Sequence, residues 1–266
     1  MRPLLLFLLL SARILQAQPT DGWPKHKQDT PRKTTSYQGA IIRVDAHEKR
    51  ITLLFTGHEF ADGAAVIRET LRKHRIKAAF FLTGDFYRNP AFAAVIKGLK
   101  KDGHYLGAHS DKHLLYADWG KRDSTLVTKA QFTQDLLANY AEMAKHGIKR
   151  KAAPYFLPPY EWYNPQIADW TSQLGLTLIN HTPGTLSHAD YTYPSLGKQY
   201  RSSEVILDSI LSFEEKDPKG LNGFLLLLHL GTDPARTDKL YLHLDELVTQ
   251  LKARGYQFVS LPEALQ

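Results

Sequence analysis

From residue 51 onward, short apolar runs alternate with helix-length amphipathic stretches, and that alternation predicts an α/β fold. The runs at 78–82, 105–108, 152–156, 177–179, 224–228 and 257–259 are apolar without a polar face. That is the pattern of strands buried on both sides. Between them, 64–74, 90–101, 129–145, 165–174, 203–214 and 239–254 read as helices. Pro90 suits a first helical turn, where its missing N–H costs nothing, and Gly103 ends the same segment. Ahead of this array, two β-branched runs at 40–44 and 51–55 flank a polar stretch and predict an N-terminal β-hairpin. The alternation as a whole implies a parallel sheet, covered on both faces or closed into a barrel.

The first residues follow a different pattern. A positive start at Arg2, a leucine-rich run and the small residues around Ala17 read as a cleavable export signal over 1–17, which implies a secreted or periplasmic protein. The apolar run is broken at Ser11 and Arg13, well short of the roughly 20 residues a spanning helix needs, so no stable membrane insertion is expected after cleavage. Residues 18–36 are rich in Lys, Thr, Pro, Asp and Gln and predict a flexible arm. The remainder, 37–266, suffices for one domain.

The chain has no cysteine, so a metal would have to sit on His, Asp or Glu. The formal charge is +7, and the two leader arginines supply part of it. The basic residues are not interleaved with aromatic ones, which argues against a nucleic-acid partner.

In parallel α/β folds the chemistry collects where strands end. Just beyond the predicted strands lie His58, Glu59 and Asp62, then Thr83 and Asp85, then His109, Asp111 and His113, then Asn180 and His181, and finally His229. His109 and His113, four apart, would lie on one side of a helical turn and could share a divalent ion. Asp62 in Phe60-Ala61-Asp62-Gly63 would complete the set, and imidazole with carboxylate suits Zn2+. His229 ends a leucine strand and could donate a proton at the rim of a small apolar pocket. Tyr160, Trp162 and Tyr163 follow a Pro-Pro turn and Trp119 follows the histidine pair, and such rings can stack on sugar faces.

Taken together, these segments resemble the polysaccharide deacetylases, a carbohydrate esterase family, over about residues 51–261. His109-Ser110-Asp111-Lys112-His113 matches the family's H-[ST]-x-x-H motif, and Leu227-Leu228-His229 matches its L-x-H motif. The resemblance implies a distorted (β/α) barrel of about seven parallel strands and metal-assisted removal of N- or O-linked acetyl groups from a polysaccharide or oligosaccharide. It implies His109, His113 and Asp62 as metal ligands, His229 as general acid, and Leu227 as lining for the acetyl methyl group. It also exposes two departures. The family's T-F-D-D-G has Ala61 at the base position, and its R-P-P-Y has Leu157 in place of the bracing Arg. Glu59 is the first substitute for the missing base, with His58 and Glu161 as alternatives; Glu59 could instead be a ligand with Asp62 displaced, and His58 could play either part.

Two other readings share these residues. One is an amidase of the same fold acting on another C–N bond. The other is a carbohydrate-binding protein that keeps the metal but has lost turnover, for which Ala61 and Leu157 speak.

Overall fold

The structure is a computed structural model, and it describes residues 33–265. The export signal and most of the predicted arm lie outside the described residues. The strands are β1 (Thr35–Tyr37), β2 (Ala40–Arg43), β3 (Arg50–Gly57), β4 (Ala79–Leu82), β5 (Tyr105–Ala108), β6 (Tyr155–Phe156), β7 (Thr177–Leu178), β8 (Phe224–His229) and β9 (Gln257–Phe258). The helices are α1 (Ala64–His74), α2 (Gly84–Arg88), α3 (Ala93–Lys101), α4 (Lys129–Lys145), α5 (Pro165–Gln173), α6 (Ser203–Lys216), α7 (Leu244–Ala253) and α8 (Leu261–Leu265). Helices α1, α4 and α5 start where the sequence pattern places them. Asn164 caps α5 through Ile167 N, and Thr128 forms a capping box with Gln131 on α4. The helix expected over 90–101 begins as a 3-10 turn, Pro90–Phe92, and the one over 239–254 as Leu240–His243.

Strands β3 to β9 are parallel, as the distorted-barrel expectation requires. The sheet runs β1-β2-β8-β3-β4-β5-β6-β7 with β9 beside β3, and it curls until Ile179, just past β7, bridges Ile41 of β2. The N-terminal hairpin exists, but between other strands than the sequence pattern suggests. β1 pairs antiparallel with β2 across Gln38-Gly39, whose positive φ angles of 49° and 85° suit a two-residue turn. β2 and β3 do not pair, because β8 lies between them. The reason is burial: all but the first residue of β3 are buried, so the strand takes a central position with partners on both sides. β1 also reaches back to Thr35 and Ser36, two residues into the predicted arm.

Alternation along the strands divides the core in two. One side packs under the helices: Leu53, Phe55, Phe80, Leu106, Leu226 and Leu228 meet α1, α3, α4 and α7 there. The other fills the inside of the curl with Leu54, Ala79, Phe81, Leu157, Ile179, Leu225 and Leu227, and α8 adds Leu261 and Ala264. α8 follows β9, which pairs with the first residues of β3, so it covers the end where the strands begin. The opposite end stays open. Among the described residues no helix is long and apolar enough to cross a membrane.

Phe80 is fully buried and stacks on Phe55 with ring centroids 5.0 Å apart. Phe80→Ala is expected to cost about 3–5 kcal/mol, read from the midpoint of urea unfolding at unchanged slope.

Candidate functional site

The same alternation that packs the interior builds the site. Leu54, Leu157, Leu225 and Leu227 face the inside of the curl. Two residues further along their strands come Thr56 and His229, so these point the same way at the open end; His58 continues the series from β3, and His109 follows β5 directly. All four line one cavity of about 990 Å³. Its floor is therefore polar at the positions where the strands would otherwise place another leucine.

One half of the cavity is built on His109 and His113. His109 is buried, its N–H donates to Asn139 Oδ1 at 2.9 Å, and its Nδ1–H donates to the Leu157 carbonyl at 2.8 Å. That bond fixes the tautomer and leaves Nε2 as a bare acceptor. Burial lowers the pKa of His109 to about 3 and that of His113 to about 2, so both rings are neutral. The rings lie 5.1 Å apart, as a shared ion would need. The connecting loop is not the helical turn expected from the spacing. Ser110 and His113 both have positive φ, 69° and 54°, and Ser110 Oγ accepts from His113 N. The loop is clamped to the start of α2 by bonds from Gly84 N to Ser110 O and from Asp85 N to Asp111 O. The approach is close enough that a Cβ at Gly84 would collide with the Asp111 carboxylate. Asp111 itself pairs with Arg88 at 2.6 Å.

The structure brings His58 to this pair and leaves Asp62 away from it. The His58 ring stacks on His113 with centroids 4.7 Å apart and planes 12° from parallel, and its Nδ1 lies 3.1 Å from Thr83 Oγ1. Asp62 sits off the cavity wall. It accepts from Thr232 N and Tyr241 OH, each at 2.8 Å, and from Lys239 Nζ at 2.9 Å. Burial alone would raise its pKa, but these three donors hold it below the usual carboxylate range. The donor chemistry of His109 and His113 fits a divalent ion: two neutral imidazoles, one of them oriented by a backbone carbonyl. The third donor is not in place. Lone pairs lie in the ring plane, so nearly parallel rings of His58 and His113 cannot meet at one ion, and among the described residues no three His, Cys, Asp or Glu groups do.

The other half centres on His229. Its Nδ1–H donates to Asp190 Oδ1 at 2.6 Å and its backbone N–H to Asp190 Oδ2 at 2.9 Å, and Asp190 is buried. Burial pulls the His229 pKa down, but the adjacent carboxylate outweighs it and the net shift is upward. In the protonated ring Nε2 carries the second N–H and is the group free to donate a proton. Beside it, His181 and His188 stack at 4.6 Å, and burial lowers the pKa of His181 to about 3. Glu161 also lines the cavity.

The outer wall is aromatic. Tyr160 lies 4.4 Å from the His113 ring, Trp119 5.6 Å from Tyr160, and Trp162 5.3 Å from Trp119. Arg122 stacks 4.0 Å over Trp162 and donates to the Tyr163 carbonyl. Trp119 is 56% and Tyr160 44% exposed, so both present ring faces to a ligand. Tyr163 is buried and donates its hydroxyl to Tyr37 O, which makes it support for the wall. Leu227 is fully buried in the interior cluster and is not on the cavity wall. Glu59 is exposed at the rim without a hydrogen-bond partner among the described residues.

Sequence reasoning missed Asp190, Thr56, His188 and Arg122. Asp190 and His188 belong to a 3-10 turn, Ser187–Tyr191, in a stretch without periodicity, so no strand end pointed to them.

The sequence profile of the polysaccharide deacetylase family matches residues 43–179. Among curated proteins, the uncharacterized protein YlxY of Bacillus subtilis is 28% identical over 73% of this chain and 50% of its own. The peptidoglycan-N-acetylglucosamine deacetylase PgdA of Listeria monocytogenes is 27% identical over 81% of this chain and 38% of its own. The chain thus spans half or less of the length of these two relatives. Two solved structures share the fold. One is a family 4 carbohydrate esterase pseudoenzyme from Bacillus anthracis, with TM-score 0.66 and 18% identity, covering 87% of this chain and 70% of its own. The other is PdaA of Bacillus subtilis, a family 4 carbohydrate esterase, with TM-score 0.64 and 24% identity over 85% of both chains. With more than half of its length matched by the profile, the chain belongs to the polysaccharide deacetylase family.

Proposed function

We propose that the protein removes N- or O-linked acetyl groups from a polysaccharide or oligosaccharide, using one divalent ion, Zn2+, held by His109 and His113. The observation that carries this reading is the sharing of one cavity by the neutral imidazole pair, the His229–Asp190 couple and the exposed rings of Trp119 and Tyr160. His58, whose ring packs on His113, would be the third donor, since Asp62 is committed to Lys239. An ion held there would supply Lewis-acid polarisation of the acetyl carbonyl and a more acidic water. The chain's own groups do the rest. Trp119 and Tyr160 stack on sugar rings and set the scissile bond over the floor. Asp190 keeps His229 protonated, and His229 gives its Nε2 proton to the departing sugar nitrogen or oxygen. The leader over 1–17 would carry the protein to where such polymers lie, outside the cytoplasm.

A second reading has one observation in its favour. The cavity floor holds Thr56 and His58 and no carboxylate, as suits a family member that binds sugar without turnover.

Acetate release from acetylated xylan, N-acetylated chitopentaose or peptidoglycan, lost with chelator and restored by Zn2+, is the outcome expected of the first reading. Binding of these glycans without release would replace it with the second. His113→Ala should abolish metal retention, measured as bound Zn2+ per chain. Trp119→Ala should raise KM roughly 3- to 10-fold with kcat little changed, because a stacking contact contributes about 0.5–1.5 kcal/mol. Asp190→Asn removes the charge that lifts His229, so the His229 imidazole should titrate at lower pH by NMR and the alkaline limb of activity should move with it.

A further inference from the structure

A hydrolysis of this kind needs a base to take the proton of the attacking water. The acids near the open end are mostly committed. Asp190 is bound to His229, Asp62 to Lys239, and Asp111 to Arg88, while Asp233 Oδ1 accepts from Ala235 N within its own turn. Glu59 faces solvent at the rim.

Glu161 lines the cavity, and unlike the committed acids its carboxyl group has neither a hydrogen-bond nor an ion-pair partner among the described residues; unlike Glu59, which is exposed, it is half-buried. Its backbone is held in place at a cost. Tyr160 (φ 58°) and Glu161 (φ 54°) are consecutive non-glycine residues in the left-handed region, which strains the backbone there. The Pro158-Pro159 segment leads into this turn, Glu161 N donates to Pro158 O, and the Glu161 carbonyl accepts from Asn180 Nδ2 at 2.7 Å. The same turn sets Tyr160 against His113. A strained turn, anchored at both ends, therefore places one ring and one free carboxyl beside the two halves of the site.

We propose that Glu161 is the catalytic base, in place of the carboxylate missing from the floor; this rests on the hydrolase reading above. Glu161 takes one proton from water as the water oxygen bonds to the acetyl carbon. The carbon–nitrogen or carbon–oxygen bond then breaks, its electron pair goes to the sugar atom, and the His229 imidazolium supplies that atom's proton. Acetic acid and the free amine or hydroxyl are released. The proton on Glu161 passes to His229, directly or through water, and both groups regain their starting state without any further reactant.

Burial lifts the Glu161 pKa to about 7; His229 pulls it down and Asp190 pushes it up. Burial and, after it, Glu161 raise the pKa of Tyr191, and His181, His188 and Arg122 line the same cavity. The base must be ionised and His229 protonated, so kcat/KM should rise with pH through about 7 and fall above the raised pKa of His229.

The test measures acetate release from N-acetylated chitopentaose against pH, and binding of the same oligomer by tryptophan fluorescence. Glu161→Gln should lower kcat by at least about 100-fold, remove the acid limb, and leave oligomer binding unchanged. A Glu161→Gln protein with kcat within about threefold of wild type overturns the assignment, as does loss of the acid limb in Glu59→Gln instead. Should Glu161→Gln fail to fold, Glu161→Asp decides: a displaced acid limb supports the assignment and a wild-type profile overturns it. Acetate release by wild type that survives in Glu161→Gln removes only the base. Silence of the wild type on every acetylated glycan removes the hydrolase reading itself.

Discussion

The constraint on which the structure depends is the two-residue repeat of parallel strands that close around an apolar interior. Each strand that buries a leucine inside the curl must present its next inward side chain at the open end, so the interior and the site are built by the same register. β3 and β8 show it most directly. Leu54 and Leu227 are paired in register within the interior, and Thr56 and His229 are paired in register one step above them. A slip of one residue toward the open end would turn the polar group into the helix-packed layer and bring Phe55 of β3 or Leu228 of β8 to the cavity.

This also explains what was legible in the sequence. The strand runs and the long helices could be read because burial on both faces leaves continuous apolar stretches, and α1, β5 and α4 fall where periodicity puts them. His109, His113 and His229 could be read because they sit at strand ends. The choice of Asp62 could not be corrected by pattern alone. The last inward position of β3 is Thr56, His58 follows just past the strand, and Asp62 comes only as the chain turns to α1, where it meets Lys239 and Tyr241. Asp190 was illegible for a different reason. It reaches His229 from a 3-10 turn, and nothing in an aperiodic segment marks which acid will be buried. The hairpin was misassigned because partner choice between strands depends on how deeply β3 is buried, and neighbouring runs in sequence do not report that.

Six histidines line one cavity, and their environments separate them into roles. His109 and His113 have no carboxylate partner, so burial decides and the rings are neutral lone-pair donors. His229 is also largely enclosed but has Asp190 on its Nδ1, and the balance turns toward the charged form. A single buried carboxylate thus distinguishes a proton donor from a ligand type among otherwise similar side chains. Placement of Asp190 by the 187–191 turn is therefore as much a part of the site as the histidines themselves.

The aromatic wall follows from the same economy of placement. Trp162 is fixed by its Nε1 bond to Asp118 O and by the Arg122 guanidinium over its face, and Arg122 is in turn tied to Tyr163 O. Trp119 and Tyr160 have no such clamp on their outer faces. Rings supported from behind and open in front lose little freedom on binding, which makes stacking on a sugar face productive and leaves orientation to the rigid layer beneath. Tyr160 belongs to both regions, packing on His113 on one side and on Trp119 on the other. The strained turn that carries it therefore couples where a glycan rests to how the imidazole at the floor is held, and a ligand that moved Tyr160 would necessarily disturb the packing of His113.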